Sequence, residues 1–201
     1  MILKTRVYGC DFVGLFLLSA GDNIYYSKFL HETKFAKSLE KSKAVKCESH
    51  MLGMFFAGNK NGIVGGVPMK NSTLIETNFN ALGNLILTND KGAIISPLIK
   101  DKKMEIEKIL GVKTEISTVA GMDLIGSLAI ANNNGVAIHQ EATESEMALI
   151  EKTLKVDVDF GTLYRSGFLG SMATSTDDTL VIAPSILAPE IALLMEILQI
   201  E

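Results

Sequence analysis

The segment from Ala81 to Ile99 carries a short design that returns along the chain, and such repetition constrains a fold more tightly than any local pattern. Leu82-Gly83 opens an apolar run, Leu85-Ile86-Leu87 has strand composition, and Thr88-Asn89-Asp90-Lys91-Gly92 is a polar turn. Ala93-Ile94-Ile95 is a second strand, stopped by Ser96-Pro97. Two β-prone runs around an Asn/Asp/Gly turn predict a hairpin in which Gly92 supplies a positive φ. The same order recurs after Val13-Gly14, Leu52-Gly53, Ile125-Gly126 and Leu169-Gly170. The opening glycines are therefore Gly14, Gly53, Gly83, Gly126 and Gly170. In the middle three copies the turn residues keep one offset from the opening glycine: Asn59 and Gly62, Asn89 and Gly92, Asn132 and Gly135.

A helix and a further strand complete most units after the hairpin. Lys28 to Lys41 has helical spacing, with Phe29, Leu30, Phe35, Ala36 and Leu39 on one face, and Ala44 to Cys47 is then a strand. Asp101 to Leu110 predicts a helix with Met104, Ile106, Ile109 and Leu110 as its stripe, leading to a strand over Val112 to Ile116. Thr143 and Glu146 have capping-box spacing ahead of a helix to Leu154, with a strand over Val156 to Phe160. Pro189 suits the first turn of a last helix. Met1 to Tyr8 predicts a strand that closes the structure. The second copy is short: 30 residues separate Gly53 from Gly83, against 43 and 44 for the next two intervals. A helix is missing there, leaving a loop from Gly65-Gly66 to Ser72. The expectation is one α/β domain of hairpin–helix–strand repeats with boundaries near 1–47, 48–78, 79–121, 122–164 and 165–201. Such a unit cannot bury its own apolar face, and closing five of them into a ring removes the exposed edges.

Charge is uneven along the chain. Residues 1–113 hold 16 Lys/Arg against 10 Asp/Glu, and residues 114–201 hold 3 against 13. Repeats placed in chain order would give a basic side and an acidic side, which could meet a phosphate-bearing and a basic partner or merely keep the surface solvated. Lys34, Lys37, Lys41, Lys43 and Lys46 fit a solvated helix face better than a phosphate site. Two cysteines, Cys10 and Cys47, are too few for a disulfide scaffold and favour a reducing compartment. The run Phe12 to Ala20 mimics a signal peptide, but Asp11 stands at its mouth and it forms part of the first repeat.

Residues 81–97 resemble the middle repeat of the archaeal translation initiation factor 6 family, which are ribosome anti-association factors. Further matches are Val119-Ala120 through Ile125-Gly126-Ser127, Gly135 to His139, Phe160-Gly161-Thr162 and Ala188 to Ile191. The resemblance covers nearly the whole chain and is strongest in the third copy. It implies a pentein-type fivefold pseudosymmetric α/β propeller: a cytoplasmic monomer without cofactor or metal. It further implies docking on the intersubunit face of the large ribosomal subunit, against a ribosomal protein and rRNA near the sarcin–ricin loop, so that the small subunit cannot join. Carried over by position, Asn84 follows the opening glycine of the best-matching copy and is the first contact residue. Leu15, Met54, Ser127 and Ser171 follow theirs. Asn78, Asn80, Met122, Asp123, Arg165 and Ser166 would rim the same face. Without the resemblance, Asn84 reads as a turn residue bonded to its own backbone.

The chain departs from the family in its missing second helix, in Thr176 and Thr179 where the turn Asn and Gly are expected, and in the loop Thr162 to Gly167. The alternative is a pentein-fold binding module that no longer acts on the ribosome. Guanidine-modifying enzymes of this architecture need a late nucleophilic Cys. None follows Cys47, and His31, His50 and His139 stand apart. Cys47 and His50 give zinc too few ligands, and Gly65-Gly66-Val67-Pro68 is not a phosphate loop.

Overall fold

The computed structural model describes residues 1–30, Leu39 and residues 43–201. Its strands form five three-stranded sheets, one per repeat. In unit 3, Ile86–Thr88 pairs antiparallel with Ala93–Ile95, which pairs parallel with Thr114–Ile116. Units 1, 2 and 4 repeat this order around Asn23–Ser27, Ile63–Gly65 and Gly135–His139. In unit 5 the hairpin is Thr174–Ser175 with Leu180–Ile182, and its parallel third strand is Ile2–Lys4 from the other end of the chain. Helices Lys103–Leu110, Glu144–Leu154 and Ala188–Ile197 serve units 3, 4 and 5. The helix expected over Lys28 to Lys41 falls mostly outside the described residues; Lys28–Leu30 is a single 3-10 turn. Unit 2 passes from Gly65 to Thr73 without a helix.

Three expectations need correction. Each opening glycine lies in a single helical turn rather than at the head of a strand: Val13–Leu15, Leu52–Phe55, Leu82–Leu85, Ile125–Leu128 and Leu169–Met172. Leu85 is therefore helical. Met104 leaves the apolar stripe, being 74% exposed, while Ile106 and Leu110 are fully buried. Gly92 does not have positive φ; it is glycine because a Cβ there would lie 2.0 Å from the Thr153 carbonyl of the next helix.

The helical turns pack against one another through their glycines. A Cβ on Gly53 would fall 1.8 Å from the Gly14 carbonyl, on Gly83 2.0 Å from Gly53, and on Gly126 2.0 Å from Gly83. The series continues from Gly170 to Gly126, and Gly14 returns to Gly170, each at 2.0 Å. The contacts thus run round all five units and come back to the first. The core follows the same cycle. Leu87 and Ile94 of unit 3 pack with Val136 and Ile150 of unit 4, and Val181 of unit 5 packs with Val13 and Ile24 of unit 1.

Turn asparagines fasten the outer layer. Asn89 Oδ1 accepts from Lys91 N and Gly92 N within its own turn, while its Nδ2 donates to Asn132 O (3.1 Å) and to Leu154 O at the end of the next helix (3.0 Å). Asn59 holds Leu110 O and Asn132 holds Leu198 O in the same way. These side chains are buried with both ends satisfied, so they close the helix C-termini. The turns of units 2, 3 and 4 therefore each hold the helix of the following unit. The turn of unit 1 faces unit 2, which has no helix, and it is trimmed to Gly21-Asp22 with Ala20 opposite Asn23. The deletion in one unit is matched by a deletion in its neighbour. In unit 5, Thr176 N still donates to Thr179 O (2.9 Å), so the turn survives without Asn or Gly.

Gly126→Ala would drive a methyl group into the Gly83 carbonyl and should cost on the order of 3 kcal/mol or more. Gly121→Ala, at φ +70° with nothing within 4 Å of its Cβ, should cost about 1 kcal/mol. Urea denaturation of the two variants measures the difference; equal losses would mean that the glycine contacts do not hold the units together.

Candidate functional site

The five helical turns pack one against the next around the cycle of glycines, and each carries its residue after the glycine on that turn. Leu15, Met54 and Asn84 are half-buried there. Ser127 and Ser171 are only 4% and 9% exposed, so their side chains offer little surface. Asn84 N donates to Ala81 O (3.1 Å), an ordinary bond of its helical turn.

Outside this centre stand the rim loops. Val7-Tyr8-Gly9-Cys10, Val119-Ala120-Gly121-Met122 and Leu163-Tyr164-Arg165-Ser166 are tight turns, each closed by a reciprocal pair of backbone hydrogen bonds. Both central residues of each have positive φ, the geometry of a type I′ turn. Two of the loops use Gly at the second central position; the third holds Arg165 at φ 58°. That exposed guanidinium is thus presented from a backbone shape that disfavours it. Asn78 and Asn80 are exposed on their loop, and Met122, Asp123 and Ser166 are half-buried.

Two carboxylates hold two of these loops, and sequence spacing revealed only half of what one of them does. Glu146 completes the expected capping box, accepting from Thr143 N at 2.8 Å. The same carboxylate also accepts from Thr118 Oγ1 (2.6 Å), Ala120 N (3.0 Å) and Gly121 N (3.1 Å). Glu190, in the equivalent helix of unit 5, accepts from Thr162 Oγ1, Tyr164 N and Arg165 N. Burial alone would push the Glu146 carboxyl up; the hydrogen bonds from Thr118, Thr143 and Gly121 outweigh it and hold the pKa at about 2. At the junction of units 5 and 1, Asp11 bonds Arg6 (2.5 Å), Tyr164 Oη (3.0 Å) and Ser185 Oγ (3.1 Å).

Exposed apolar side chains unnamed by the motif stand just before the helical turns. Phe12, Leu124 and Phe168, each two residues before an opening glycine, are 41%, 41% and 40% exposed, with Phe79 and Tyr164 nearby in sequence at 37%. Their constant offset is a signal that the sequence does carry. Between the helical turns and the hairpins lies a cavity of about 80 Å³, room for a few water molecules and too small for a nucleotide. Burial pushes the Cys47 thiol up, the wrong direction for a nucleophile. Among the described residues no three His, Cys, Asp or Glu side chains gather as a metal site, and no helix is long and apolar enough to cross a membrane. What the geometry does show is a set of tight, hydrogen-bonded loops, two of them clamped by carboxylates.

Because the folded pKa of Glu146 is depressed, its contribution to stability is complete above about pH 4.5, the ordinary value, and is lost as pH falls toward about 2. Glu146→Gln should cost about 3 kcal/mol at neutral pH and flatten the acid limb of the stability curve over that window. Denaturation midpoints from neutral to acid pH test this; an unchanged acid limb would show that the carboxylate does not clamp the loop.

Residues 2–168 match the eIF-6 family. A translation initiation factor 6 from Methanocaldococcus jannaschii is 47% identical over 77 residues, spanning 38% of this chain and 34% of that protein. One from Pyrobaculum arsenaticum is 27% identical over 165 residues, spanning 73% and 74%. One from Methanococcus vannielii is 29% identical over 176 residues, spanning 73% and 75%. With the match running from the first strand through the opening of unit 5, the chain belongs to the eIF-6 family.

Proposed function

We propose that this translation factor binds the large ribosomal subunit on its intersubunit face and sterically blocks joining of the small subunit. The observation that carries the reading is the family match over residues 2–168. The cycle of glycine contacts supports a pentein-type propeller, a single domain acting as a rigid disc. Its docking face would be the end that bears Asn84, Met54 and Leu15, with Ser127 and Ser171 beneath the surface as supports. Asn78, Asn80, Met122, Asp123, Arg165 and Ser166 form the rim, and Phe12, Leu124 and Phe168 add apolar contact area. A ribosomal protein beside rRNA near the sarcin–ricin loop is the proposed partner, and the protein would act as a cytoplasmic monomer without a chemical step. About 800 Å² on each side is enough for a specific complex.

The trimmed hairpin of unit 1 and the absent helix of unit 2 favour one second reading, a module of the same fold that has left the ribosome. Co-sedimentation with separated subunits distinguishes the two. Binding to large subunits alone, weakened about tenfold or more by Asn84→Arg at unchanged thermal stability, is the expected result. Failure to sediment with large subunits favours the second reading, and undiminished binding by Asn84→Arg removes that residue from the face.

A further inference from the structure

In units 4 and 5 the rim loop is held by a carboxylate from that unit's helix, Glu146 or Glu190. Unit 2 has no helix to supply one, and its loop from Glu48 to Met51 is held differently. The His50 ring stacks on Phe29 with centroids 4.6 Å apart and planes 5° from parallel. His50 Nδ1 lies 3.0 Å from Tyr8 Oη, and the Tyr8 ring meets Phe16 edge-on at 5.6 Å. Phe29 and His50 thus cover one face of each other, and Tyr8 stands tilted by 43° against His50 at 6.1 Å, yet the group is not buried: Tyr8 is 52% and Phe29 55% exposed, and His50 is exposed as well.

Lysines lie on the ring-bearing and neighbouring segments. Lys28 Nζ sits 5.4 Å above the Phe29 ring and bonds Glu48 at 2.9 Å. Lys70 acts on the same carboxylate from the loop that replaces the missing helix, and Lys46 stands on the strand Ala44–Cys47 that leads into the loop. This is the basic part of the molecule, since residues 1–113 carry a net +6 and residues 114–201 a net −10. Pre-ordered exposed rings set among lysines match what an unpaired nucleic-acid strand requires: a π-face for a base and positive charge for the phosphates beside it. An apolar protein segment would have to desolvate those lysines, and an acidic peptide would leave the rings unused.

We propose that Tyr8, Phe29 and His50 form a stacking platform for unpaired RNA, at the seam of units 1 and 2. It deepens the ribosomal reading by naming which edge of the disc meets RNA, and it rests on that reading only for the source of the RNA. A fivefold pseudosymmetric disc presents similar edges in five directions, and this platform with the charge imbalance distinguishes one of them.

The test uses the isolated full chain and a fluorescein-labelled oligoadenylate of about ten nucleotides, with anisotropy as the readout. The platform predicts saturable binding that weakens steeply between about 50 and about 200 mM salt. F29A/H50A should weaken it about tenfold, whereas H50F, which keeps a ring, and F160A, an exposed aromatic in acidic unit 4, should leave it near wild type. Thermal melts check that each variant folds; if F29A/H50A does not, H50A set against H50F carries the comparison. No binding, equal binding by the ring-deleted variant, or equally tight binding of polyglutamate would overturn the proposal. Large-subunit sedimentation of the same preparations separates the two readings: sedimentation without oligoadenylate binding removes the platform and leaves the ribosomal function standing.

Discussion

Everything in this molecule depends on how closely five short helical turns approach one another. At each junction a glycine lies against the carbonyl of the previous glycine, with no space for even a methyl group. That spacing sets the radius at which the hairpins fan outward, and hence which apolar faces meet. Because a three-stranded sheet with one helix cannot cover itself, each core is shared across a seam. The parallel pairing of Ile2–Lys4 with Leu180–Ile182 then joins the two ends of the chain in one sheet.

A second layer of order comes from the hairpin turns, where asparagine amides close the helix ends of the next unit. This arrangement explains how a helix can be lost without leaving unsatisfied groups behind. A helix removed from unit 2 would orphan an asparagine in unit 1; the trimmed Gly21-Asp22 turn contains none. Insertions and deletions in such a repeat protein are coupled across seams, because nearest-neighbour contacts carry the stability. The exposed face is less constrained, and there the units differ most. Arg165 replaces a glycine in a left-handed turn position, and aromatic rings replace a carboxylate clamp beside His50.

The repeat, the hairpins, the missing helix, the capping box at Thr143 and, within Met1 to Tyr8, the closing strand Ile2–Lys4 were legible in the sequence, because each leaves a local signature in residue type and spacing; Tyr8 itself belongs to a tight turn. Three features were not. The helical turns at the opening glycines are four residues or fewer, too short to show a 3.6-residue period. The requirement for Gly92 comes from a carbonyl more than sixty residues away, so turn chemistry suggested the right residue for the wrong reason. The clamps made by Glu146 and Glu190 join a helix to a loop about 25 residues upstream, a relation that exists only once the units are assembled. For the proposed binding face, the glycine offset names Asn84 and its equivalents, and burial divides them. Asn84, Met54 and Leu15 keep surface, while Ser127 and Ser171 lose nearly all of it.

The binding face and the fold make one claim together, that a rigid disc docks through the end where its glycine-bearing turns converge. Electron cryomicroscopy of the chain mixed with purified large ribosomal subunits tests it most directly. Docking of this kind predicts disc-shaped density on the intersubunit face, its glycine-turn end toward the subunit and its asparagine-turn end toward solvent. Density in the opposite orientation, or free subunits under conditions where both components are intact, would contradict it.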